Sequence, residues 1–154
     1  MNLIWGMAVV AISLVAWLGQ VVSLITPRTA AGWGLTESES EVDPTFYADV
    51  RGEAFWDTLI LWTLPAAGIL LVLNNPLWAY FGLVGGGIFL YFAGRGILVR
   101  LTMRRRGIRI GKPAGLVVAY FFLSLWGLVA AITMVLAFTE LRNTSTNQGE
   151  THGL

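Results

Sequence analysis

Four long apolar runs set the pattern of this chain, at about Leu3–Ile25, Phe55–Leu73, Leu77–Val99 and Ala114–Phe138. One sharp turn and two polar connections separate them. Each run is near the roughly 20 apolar residues that an α-helix needs to cross a bilayer core. The pattern predicts an all-α, polytopic integral membrane protein, a bundle of four transmembrane helices in a single domain over residues 1–138. The tail, 139–154, is rich in Asn, Thr, Ser and Gly and reads as disordered. The runs differ too much in glycine, proline and charge to form an internal repeat.

Spans 2 and 3 read as a central helical hairpin turning at Asn74-Asn75-Pro76. Residues equidistant from that turn lie at equal depth. Asp57 then falls within one turn of Arg95, and Pro65 lies level with Gly85-Gly86-Gly87. Pro65 removes a backbone donor and is expected to kink span 2 near Leu61. Gly82 and Gly86 form a GxxxG step, expected to pack on Ala66-Ala67-Gly68 of span 2, with a homo-oligomer face as the alternative. On span 1, Gly6, Ala16, Gly19 and Ser23 make a small-residue face, and Pro27 ends the helix. Asp43-Pro44 has the form of a helix start, and a short interfacial helix carrying Phe46 and Val50 is expected before span 2. An ordinary polar loop is the other reading of that stretch.

Charge sharpens this picture. Charged residues make up 12% of the chain, about half of what a soluble domain carries. They are also segregated. The first connection, 28–54, is acidic, with Glu37, Glu39, Glu41, Asp43, Asp49 and Glu53 against Arg28 and Arg51. The second, 100–113, is basic, with Arg100, Arg104, Arg105, Arg106, Arg109 and Lys112. Cytoplasmic loops carry excess Lys and Arg. Both connections are therefore expected in the cytoplasm and both termini outside, in a multi-pass protein of the plasma (inner) membrane. On one face, the acidic and basic connections can attract each other within a Debye length.

The chemistry-bearing residues are few. There is no cysteine, and the one histidine is His152. Disulfide, thiolate and intramembrane His-haem chemistry are excluded, as is a His-rich zinc site. The acidic stretch from Glu37 to Asp43 lacks the spacing of a calcium loop. Ser124 has no basic partner in its span, and the Glu53/Asp57 spacing is what a charged helix end presents. No catalytic residues, cofactor or metal site are expected. Arg95, flanked by Gly94 and Gly96 inside span 3, draws attention because charge in a membrane helix is costly. Three readings stay open for it: snorkelling to the boundary, an ion pair with Asp57 or Glu53, or an anion site. Arg104, Arg105, Arg106, Arg109 and Lys112 serve topology or contact anionic lipid headgroups. No module for nucleic acid accompanies them.

Two functions follow. The first is a non-catalytic protein acting by helix association, as an accessory subunit of a membrane complex or as a homo-oligomer. The second is a small channel or carrier for an anion, with Arg95 near its cytoplasmic entrance and the Pro65/glycine level as its narrow point.

Overall fold

The computed structural model describes residues 2–151, which are helical apart from turns and one isolated β-bridge. The order is α1 (Asn2–Ile25), α2 (Pro27–Gly32), α3 (Pro44–Ile60), α4 (Thr63–Val72), α5 (Trp78–Arg105) and α6 (Pro113–Thr151). Four segments are long and apolar enough to cross a membrane: α1, α3 with α4, α5, and α6.

Three helix ends close in the same way. After α2, Gly34 (φ +73°) turns the chain left-handed. Its N–H bonds Ala31 O at 3.1 Å, and Leu35 N–H reaches Ala30 O at 2.9 Å. After α4, Asn74 (φ +52°) does the same, with Asn74 N–H on Leu71 O and Asn75 N–H on Leu70 O. After α5 the turning residue is Gly107 (φ +76°). Glycine and asparagine tolerate this conformation, which is why the chain turns at these residues. The bonds satisfy terminal carbonyls that would be costly to leave bare in lipid. The end of α1 is closed by a side chain instead. Arg51 donates to Ser23 O and to Leu24 O.

The second span is longer than the expected Phe55–Leu73. Asp43 caps α3, its Oδ1 accepting Thr45 N–H at 2.8 Å, and Pro44 takes the first helical position. The Thr45 backbone N–H, and then the Thr45 hydroxyl, hold the Asp43 carboxyl below its usual range. The expected helix start is therefore present, but the helix does not stop before the span. It runs straight into it and breaks only at Leu61–Trp62. The break has a covalent cause, since Pro65 has no N–H to offer Leu61 O. One turn before it, the Trp17 indole of α1 donates to Thr58 O at 3.0 Å.

The helices meet through glycines. A Cβ added at Gly68 would lie 2.9 Å from Gly6 O, so α4 and α1 touch backbone to backbone. A Cβ at Gly85 would lie 2.7 Å from Leu64 N, so α5 touches α4 in the same way. Gly82 and Gly86 do not face Ala66-Ala67-Gly68. They face α6, where a Cβ on Gly82 would be 3.1 Å from the Ala137 Cβ and one on Gly86 3.1 Å from Ala130 O. The reason is angular. Gly85 lies about 100° around the helix from Gly86, and Gly85 is the one turned to α4. α5 thus sits between α4 and α6, and Leu61, Leu64, Phe89, Phe92, Leu123 and Ala130 form the central core.

The two polar connections dock on each other, chiefly by other means than charge. Val42 bridges Ile110, Asp43 N–H donates to Arg109 O at 2.7 Å, and Arg109 donates to Val42 O at 3.2 Å. Beneath them Val42, Phe46, Ile110 and Leu116 form a separate apolar cluster. Among the described residues the one ion pair joining the connections, Lys112 with Glu41 at 2.6 Å, is exposed and worth at most about 1 kcal/mol.

The fourth helix is longer than the expected span, Ala114–Phe138. α6 continues past Phe138 to Thr151; His152 lies outside the described residues. Thr139, Thr144, Ser145 and Thr146 return their hydroxyls to carbonyls one turn back, so the polar residues extend the helix without unpaired hydroxyl donors.

Two Gly→Ala substitutions test the close contacts by sign. Gly52→Ala adds a methyl in open space on α3 and should raise thermal stability in detergent by roughly 0.5–1 kcal/mol. Gly68→Ala drives the same methyl into the α1 backbone and should lower it by about 1–3 kcal/mol. Equal shifts of both melting temperatures would contradict the packing.

Candidate functional site

Charge inside the spans converges where α3 crosses α5. Asp49, Glu53 and Asp57 recur every four residues and line one face of α3. Arg95 Nη2 lies 2.5 Å from Asp49 Oδ1, and Nη1 lies 2.8 Å from Glu53 Oε1. One guanidinium thus clamps two carboxylates. Its fork geometry suits this, whereas a lysine would be a point charge.

Asp57 makes no ion pair and is buried, and its Oδ2 has no hydrogen-bond partner among the described residues. Of the two expected partners of Arg95, Asp57 and Glu53, the structure pairs it with Glu53, and adds Asp49. The arginine reaches toward the open end of the hairpin, away from Asp57, as a snorkelling side chain does. Asp49 was not singled out as a partner of Arg95. The short helix expected after Asp43-Pro44 already contains it, and because that helix runs on without a break into the span, Asp49 lies one turn before Glu53 on the same face.

The basic cluster divides. Arg104, Arg105 and Arg106 are exposed at the end of α5 and make no ion pair among the described residues. Arg109 and Lys112 are used in docking the connections. Arg100, not singled out in the sequence, is half-buried, and its guanidinium carbon lies 5.5 Å from the centre of the Phe46 ring. Its Nη1 donates to Gly96 O at 3.2 Å, while its Nε has no protein acceptor among the described residues.

Arg100 borders a cleft of about 670 Å³ between α1 and α6. That volume lies within the usual range for small-molecule sites. These two helices touch sparingly, and the Trp126 indole donating to Ile12 O at 3.0 Å closes the cleft at one end. From there the walls are apolar, with Ala16, Phe92, Phe122 and Leu123. At the other end, under the docked connections, they carry Gln20, Arg28, Glu37, Glu53, Arg100 and Lys112. Exposed Val15, Val118 and Phe122 rim the mouth, so the cleft opens sideways, between helices.

Comparison with protein-family models, with curated proteins and with solved structures finds no match. The reading rests on the geometry alone.

The clamp predicts a charge cycle. Arg95→Gln leaves two carboxylates unpaired and should cost about 3 kcal/mol in detergent unfolding, the low end for breaking a buried pair. Neutralising Asp49 and Glu53 as well (Asp49→Asn, Glu53→Gln) should recover most of that loss. Lys112→Ala should cost under about 1 kcal/mol. An Arg95→Gln protein as stable as Lys112→Ala would mean the clamp contributes nothing.

Proposed function

We propose that this is a non-catalytic, multi-pass membrane protein that works by helix association, as an accessory subunit of a larger membrane complex or as a homo-oligomer. The observation that carries this reading is the outer face of α5. Tyr80, Val84, Tyr91 and Leu98 are exposed there, and between them Gly87 and Gly94 have open space where a side chain would be. The positions recur with near-heptad spacing, the seam of a helix that packs along another. In lipid, where apolar burial supplies no drive, such small-residue hollows are how helices fit together.

The alternative, a channel or carrier for an anion, rested on a free Arg95. Its guanidinium is held by Asp49 and Glu53, which weighs toward association. We place the docked connections in the cytoplasm and both termini outside, in the plasma (inner) membrane, on the strength of the Lys/Arg asymmetry. Arg104, Arg105 and Arg106 then face anionic headgroups, an attraction of about 1 kcal/mol per residue.

Two measurements test this. Native mass spectrometry of mild-detergent extracts should show the chain bound to a second subunit or to itself. Gly87→Leu with Gly94→Leu should release it without lowering the monomer's melting temperature, and an assembly unchanged by both substitutions would refute the α5 seam. With an impermeant maleimide, Asn75→Cys should label in intact cells, and Arg105→Cys only after permeabilisation. The reverse pattern would invert the topology.

A further inference from the structure

We infer that the cleft between α1 and α6 is a phospholipid site, with the phosphodiester held at the Arg100 end and one acyl chain lying along the apolar wall. This goes beyond the association reading and does not depend on it.

The shape comes first. The cleft opens sideways, rimmed by the exposed side chains of Val15, Val118 and Phe122. A ligand entering there comes from the bilayer, not from water. Along α1 the cleft reaches from Val15, one turn beyond the Trp126–Ile12 bond that closes it, to Ser23, beneath the connections. At 1.5 Å per residue that is roughly 12 Å, most of the depth of one leaflet of a hydrocarbon core ~30 Å thick. The cleft therefore takes the greater part of one acyl chain. Gly19 and Gly115, on opposite walls, leave the space between α1 and α6 open.

Arg100 is what suits the polar end to a headgroup. Lys112 is paired with Glu41, and Glu53 shares Arg95 with Asp49. The lining as a whole carries three basic residues (Arg28, Arg100, Lys112) and three acidic ones (Glu37, Glu41, Glu53), so it has no net charge, but Arg100 stands apart from these pairs. Arg100 has no carboxylate partner among the described residues, and its buried Nε has no acceptor. The start of α6 adds to this. Ala114 and Gly115 line the cleft, and backbone N–H groups in a first helical turn lack intrahelical acceptors and favour an anion. A single phosphodiester meets all of these demands, and its acyl chains follow the apolar wall.

The test uses the full chain in a phosphate-free detergent, with native mass spectrometry as the readout. The probes are phosphatidylglycerol and a diacylglycerol of the same acyl chains. The expected result is one retained phosphatidylglycerol per chain, with diacylglycerol bound at least ten-fold more weakly. A Cβ at Gly19 or Gly115 meets no atom within 4 Å, so Gly19→Leu with Gly115→Leu fills the cleft from both walls. It should remove the retained lipid while the melting temperature without lipid stays unchanged. Arg100→Gln should weaken phosphatidylglycerol and leave diacylglycerol as it was. Arg100 also supports Phe46 and Gly96, so if that variant fails to fold, the glycine pair decides. Retention of phosphatidylglycerol by the filled variant, or equal retention of diacylglycerol by the unaltered chain, would overturn the assignment.

Discussion

The fold depends on backbone-to-backbone contact at α4. In lipid no apolar burial pulls helices together, so packing has to do so. α4 is short, and it is touched on one side by α1 through Gly6 and Gly68, and on the other by α5 through Gly85. Remove these glycines and the three helices separate by the width of a side chain. α6 then joins from the far side of α5, over Gly82 and Gly86. The order of the bundle follows from which glycine on α5 faces which neighbour.

The break at Leu61–Trp62 divides this second span into two parts with different work. α4 below it belongs to the glycine contacts. α3 above it belongs to the charged end, where Asp49 and Glu53 take Arg95 and Phe46 anchors the docked connections. The cleft lies beside that charged end. Its roof is formed by the same connections that Val42, Ile110 and Arg109 hold together. Stability at the roof and the shape of the cleft's polar end are therefore set by the same residues.

Much of this was legible in the residues themselves. Length and apolarity announced the four spans, Asn74-Asn75-Pro76 announced the turn, and Pro65 announced the break near Leu61. Each of these is a local property, decided within a few residues. The misreadings were of another kind. Gly82 and Gly86 were assigned to the wrong neighbour because a GxxxG step says that something approaches closely but not what. Asp49 was not linked to Arg95 because the short helix expected after the Asp43 cap was read as ending before the span, whereas it continues into it. Arg100 looked like one basic residue among several until folding set it beside a cleft. α6 runs on past Phe138 into the polar stretch, where Thr139 and Thr144 return their hydroxyls to carbonyls one turn back. What the sequence could not show was orientation around a helix axis and proximity between distant segments.

The clamp on Arg95 also has a direction in time. A chain is made and inserted from its N-terminus. Asp49 and Glu53 precede Arg95 in the sequence, so both counter-charges are in place before the arginine leaves the ribosome. The helix bearing a costly cation is thus never required to enter the membrane alone. It arrives beside a segment already carrying the charge that neutralises it, and the order of synthesis becomes part of how the bundle assembles.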